Sequence, residues 1–150
     1  PDQWYGALYY AVIPRTVNKR VQYTLLGWKA VNGAETRKVI EVLSFNGPAP
    51  VFGAPIFNEG RTRHVRKVFA FNARTTMTLR WEPENAAIVL DHLAPERPEL
   101  AGIPAFQVPD MSFDAYVWHK ERWTFLRDVD ARNMEMKTRK VAPVQKGLGP

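Results

Sequence analysis

The chain has no cysteine. That single absence removes disulfides, thiol nucleophiles and zinc–thiolate sites together, and it leaves the compartment undecided. Serine is nearly absent too. Ser44 and Ser112 are the only two, and neither sits in a G-x-S-x-G elbow or a comparable nucleophile signature. No apolar run approaches the roughly 20 residues a membrane-spanning helix requires. No segment keeps a helical apolar face over three turns, and no repeat of 20–50 residues recurs. Between Arg61 and Arg80 there is no acidic residue, although six arginines and lysines fall there.

What is present points to β-structure. The 150 residues, 45% of them hydrophobic, are enough for one domain with a real core. Turn-forming clusters punctuate the chain at 14–19, 31–35, 45–50, 57–60, 71–75, 82–85 and 119–122. The segments between them are rich in Val, Ile, Phe, Tyr, Trp and Thr, the pattern of an all-β sandwich or barrel. In TTMTLRW, Met77, Leu79 and Trp81 share one face, opposite Thr76, Thr78 and Arg80. Residues 113–128 read as a hairpin turning at Lys120–Glu121. VIEVLSF, apolar on both faces except for Glu41 and Ser44, reads as a central strand. The expected strands are 5–13, 20–29, 36–45, 50–53, 64–71, 75–82, 87–92, 113–119 and 122–129. They form an antiparallel meander folded into a sandwich or open barrel. Residues 1–133 make one β-domain, possible C-terminal part of a larger β-fold, and 134–150 make a basic extended tail. Residues 94–112 carry four prolines and read as a long loop or edge cover, of a length that is often functional.

The segments WYGALYY, YTLLGW, TRKVIEVLSF, VFGAPIF, MTLRW, IVLDHLAP and WTFLRDVDARN resemble, in that order, a family of Bacteroidota proteins without an assigned activity. The resemblance covers roughly residues 4–133. It implies export to the periplasm or envelope, since the family's members are usually predicted to be exported. Longer members carry a signal peptide and further β-rich sequence ahead of the segment similar to WYGALYY. The chain would then correspond to their C-terminal part, which fits a sequence that begins with Pro1 rather than Met. The tail after Asn133 departs from the family pattern.

Candidate chemistry is sparse. Asp91 and His92 are adjacent, and a carboxylate can orient a catalytic histidine. Strand neighbours point to opposite faces, so the two could pair only if the strand ends at Leu90. In a turn there, Asp91 would rather cap a backbone N–H. DVDARN brings Asp128, Asp130 and Asn133 together, but a calcium loop also needs a third acid, a glycine and a distant glutamate. The alternative for Asp128 and Asp130 is a strand-end charge pair. His64, His92 and His119 lack metal spacing. Paired carboxylates for glycoside hydrolysis could be drawn from Glu41, Asp91, Asp110, Asp114 or Asp128, with separations a sequence does not give.

The net charge of +6 is concentrated in Arg61, Arg63, Arg66 and Lys67 and in the tail residues Lys137, Arg139 and Lys140. Such patches attract acidic partners, anionic lipid or nucleic acid. Against nucleic acid, Phe69 and Phe71 share a face with Val65 and read as core rather than as stacking platforms. Trp4, Tyr5, Tyr9, Tyr10, Trp28, Tyr116 and Trp118 could instead form a sugar platform if two or three were exposed and coplanar. The reading that follows is a non-enzymatic interaction or structural subunit of the cell envelope, without a cofactor. It would bind a protein partner through an open strand edge and the basic tail. The alternatives are a carbohydrate-binding module, or a hydrolase using Asp91 and His92 under the 94–112 loop.

Overall fold

The computed structural model describes residues 4–130. They form eleven strands in two sheets packed face to face as a sandwich that does not close into a barrel. In chain order these are β1 (Leu8–Val17), β2 (Arg20–Ala30), β3 (Glu35–Asn46), β4 (Ala49–Phe52), β5 (Phe57–Glu59) and β6 (Thr62–His64). They continue as β7 (Lys67–Asn72), β8 (Leu79–Glu82), β9 (Ala87–Pro95), β10 (Gln107–His119) and β11 (Arg122–Leu126). The first sheet runs β1-β2-β3-β4, with β7 pairing the other half of the same side of β3. The second runs β6-β5-β11-β10-β9-β8.

Local chemistry explains the hairpins. Asn18 and Lys19 both have positive φ (49° and 63°), as do Lys120 and Glu121 (48° and 60°). Two-residue turns of this hand match the twist of their flanking strands. They join β1 to β2 and β10 to β11. Between β2 and β3, Asn32 Oδ1 accepts the backbone N–H groups of Ala34 and Glu35. β3 is the central strand expected from VIEVLSF. Ile40 and Val42 face the core, where Ile13, Leu26, Phe71, Met77, Leu79, Leu90, Tyr116 and Trp123 meet. Trp123 Nε1 donates to Thr24 Oγ1 at 2.9 Å, a buried hydrogen bond that ties one sheet to the other.

Several details differ from the sequence expectations: β1 runs on to Val17 through residues read as a turn, β5 and β6 form where no strand was expected, β8 starts only at Leu79, and four further differences have a physical reason. The first strand begins at Leu8 rather than at residue 5, because Gly6 (φ +73°) turns the chain away and Tyr5 is held across the outer face of the first sheet. Lys29 Nζ donates to the Tyr5 carbonyl, and Arg37 Nη1 donates to its hydroxyl. The proline-rich segment is irregular only over 96–106. Its flanks are strand, with Pro95 opposite Gln107 and Pro109 opposite Leu93. Neither β8 nor β11 reaches that far, so β9 and β10 project as a two-stranded ribbon in which a missing proline N–H costs little. Residues 64–71 do not form one strand, since the chain breaks at Val65–Arg66 and Val65 is exposed. Finally, β5 pairs in parallel with β11, so the second sheet is not a pure meander.

Candidate functional site

The free side of β1 is the most distinctive surface. β1 pairs only with β2 among the described residues. Leu8 is 65% exposed with the exposed Trp28 opposite it, Tyr10 is exposed at the bulge, and Val12, 61% exposed, points to the other face of the sheet. Val17 and Arg20 close the two-residue turn, so by alternation the amides of Val12, Pro14 and Thr16 face away from β2. Pro14 has no N–H, and the register shifts by a bulge between Tyr9 and Ala11. Bulges and prolines are devices that restrict pairing at an edge. They leave the Leu8–Val12 half as a short, apolar stretch rather than a long open template.

The basic residues singled out from the sequence divide. Arg66 Nε lies 2.7 Å from Glu41 Oε2, and Lys67 Nζ donates to Glu59. Both cations are therefore held within the molecule. Glu41 is wholly buried where β4 and β7 leave a gap along β3, and burial outweighs the adjacent Arg66 to push its carboxyl above the usual range. Arg61 and Arg63 stand exposed on the β5–β6 hairpin. Arg63 lines a cleft of about 230 Å³ with Lys120 and Arg122 from the β10–β11 turn, a cluster the linear sequence conceals. Lys137, Arg139 and Lys140 lie outside the described residues.

Asp91 and His92 are not a pair. The strand continues through His92 to Pro95, so the turn at Leu90 does not exist and the two side chains point to opposite faces. Asp91 Oδ2 accepts the Thr78 N–H at 2.6 Å, extending the β8–β9 ladder by one side-chain link. His92 meets the buried Asp114 instead, with Nδ1 2.6 Å from Oδ2. Asp114 Oδ1 also accepts the Asp128 N–H. Asp110, close to His92, is held below the ordinary carboxylate range chiefly by its hydrogen bond from the Ser112 hydroxyl. Ser112 thus points its hydroxyl at Asp110 rather than at His92.

Asp128 ends the β11 arm with φ +54°, and Asp130 is exposed beyond it. The third residue of that candidate set, Asn133, lies outside the described residues. Among the described residues no three His, Asp or Glu side chains converge as metal ligands, and no helix is long and apolar enough to cross a membrane.

The chain matches no protein-family model, no curated protein and no solved structure. Its functional reading therefore rests on its own geometry.

The aromatic candidates do not form one platform. Tyr116 is core, Trp4 and Tyr5 lie over the first sheet, and Tyr10 reaches across to donate its hydroxyl to the Leu79 carbonyl. Burial raises the Tyr10 hydroxyl to about 12. Trp118 belongs to a different cluster, missed in the sequence. Trp81, Trp118 and Trp123 surround the guanidinium of Arg15, whose pKa burial draws down. No spacing announces this group, because its members come from four strands.

Proposed function

We propose that the domain is a non-enzymatic interaction subunit of the bacterial cell envelope, periplasmic or exported, that holds a protein partner against the free side of β1. One observation carries the reading: the edge strand β1 exposes Leu8, Tyr10 and Val12, with Trp28 of β2 beside Leu8 and Val12 on the opposite face past the bulge, and its far half is blunted by Pro14. Exposed apolar side chains along an unpaired strand edge suit a partner strand that covers both faces. Strand addition over Leu8–Val12 would supply main-chain hydrogen bonds beside the apolar contacts. The exposed Arg61 and Arg63, and the basic tail by its charge alone, favour an acidic partner surface. The envelope setting rests on the sequence resemblance.

The hydrolase alternative retains only the His92–Asp114 pair. A general base of this form needs a nucleophile or bound water at its other nitrogen, and the neighbouring hydroxyl of Ser112 is directed to Asp110.

The test is affinity capture of the full-length protein from its own envelope extract, at low and high salt. It is compared with a Leu8→Glu/Val12→Glu variant and with a chain ending at Asn133. The expected result is a stoichiometric partner that the double variant loses and that high salt weakens. Capture of the same proteins by the double variant, or of none by the unaltered chain, overturns the reading.

A further inference from the structure

Among the described residues Arg15 is a cation without a counter-ion. Its guanidinium carbon lies 4.7 Å from the ring centroid of Trp81, 5.5 Å from that of Trp123 and 5.8 Å from that of Trp118. The indoles are locked to one another, with Trp81 and Trp118 both meeting Trp123 edge-on at 83° and 67°. Indole faces attract a cation, but they leave most of the five guanidinium N–H groups unsatisfied. Among the described residues no carboxylate lies within ion-pair distance of Arg15, and its hydrogen bond is Nη1 to the Pro14 carbonyl. Nε is shut off from solvent and has no acceptor.

This cation borders a shallow cleft of about 510 Å³, lined by Pro14, Arg15, Thr16, Val21, Ala86 and Trp118. The lining residues include one cation and one indole beside small and apolar residues, with no acid. A carboxylate suits the planar guanidinium. A lone arginine without converging backbone N–H groups is a poorer match for phosphate, which is usually cradled by several donors. An extended peptide would find no ladder donor at Pro14. A sugar ring, by contrast, needs an apolar wall for its C–H face, as Trp118 provides, and a polar anchor beside it, as Arg15 provides.

We propose that this cleft binds a carboxylate-bearing saccharide, a uronate, with the carboxylate on Arg15 and the sugar ring against Trp118. The site is separate from the Leu8–Val12 stretch, and it stands whether or not a protein docks there.

Three of the five tryptophans lie in the cluster, so intrinsic fluorescence reads the site directly. The experiment titrates the full chain with trigalacturonate, with its fully methyl-esterified form, and with a short poly-glutamate peptide. It repeats the trigalacturonate titration on Arg15→Met, which keeps an unbranched side chain against the indoles but removes the charge. The expected result is saturable binding of trigalacturonate that weakens about tenfold or more on esterification and equally in Arg15→Met. If Arg15→Met fails to fold by circular dichroism, the ester comparison on the unaltered chain decides alone. No saturable change, or equal affinity for the ester, overturns the site. Poly-glutamate binding as tightly as trigalacturonate overturns the saccharide assignment.

Discussion

Thr24→Val replaces the acceptor hydroxyl of a buried hydrogen bond that joins the two sheets with a methyl group. Thr24 and Trp123 are both fully buried, and the hydroxyl accepts the indole N–H at 2.9 Å. Valine has the same shape, so the substitution opens no cavity. It leaves the Trp123 N–H without an acceptor in a region closed to water, which costs about 1–3 kcal/mol. The added methyl recovers about 0.8 kcal/mol of apolar burial. The net expected loss is about 0.2–2 kcal/mol. Urea unfolding followed by tryptophan fluorescence measures it, with an unchanged denaturant slope showing that the folded state keeps its extent. A double-mutant cycle with Trp123→Phe isolates the hydrogen bond from the change in ring size, and should return a coupling of about 1 kcal/mol. Thr24→Val at or above the stability of the unaltered chain, or a cycle with no coupling, would show that this bond does not hold the sheets together.

Other substitutions test other parts of the account. Gly27→Ala places a methyl 2.8 Å from the Tyr9 ring and 3.0 Å from Val39, so thermal unfolding should show a loss of about 1–3 kcal/mol. His92→Ala leaves the buried Asp114 carboxylate with only the Asp128 N–H among its described partners, and should cost about 1–3 kcal/mol in urea, with His92→Gln recovering part of it. The Glu41 carboxyl is raised by burial, so it binds a proton more readily folded than unfolded. Its contribution is therefore present below the unfolded value and lost as pH rises through the folded value. The stability of the unaltered chain relative to Glu41→Gln should fall as pH rises above the ordinary glutamate range of about 4, and a flat or rising difference would contradict the burial argument.

The sequence and the structure agree where physics is local. The turn at Lys120–Glu121, the core face of Met77, Leu79 and Trp81, and the central position of β3 follow from alternation and turn chemistry within a few residues, whereas the turn read over 14–19 narrows to Asn18–Lys19 with 14–17 in strand. The agreement fails where partners are distant. His92 finds Asp114 across two strands whose register shifts at a bulge between Pro109 and Phe113, so counting residues does not predict the meeting. The parallel pairing of β5 with β11 joins segments far apart in the chain and leaves no periodic trace in either. The tryptophans around Arg15 each read as ordinary strand aromatics, and only the sandwich brings them to one cation. Of the basic run, Arg66 and Lys67 turn inward to Glu41 and Glu59, acids that no local spacing pairs with them.

Site-specific photocrosslinking tests the central claim most directly. A photoreactive phenylalanine analogue replaces Val12, and in a control it replaces Met111, which is 90% exposed on the bulge of β10. Each variant is expressed in the source cell and irradiated there. The account predicts one discrete protein adduct from position 12 and none of that mass from position 111. No adduct at position 12, or the same adduct from both positions, would contradict it.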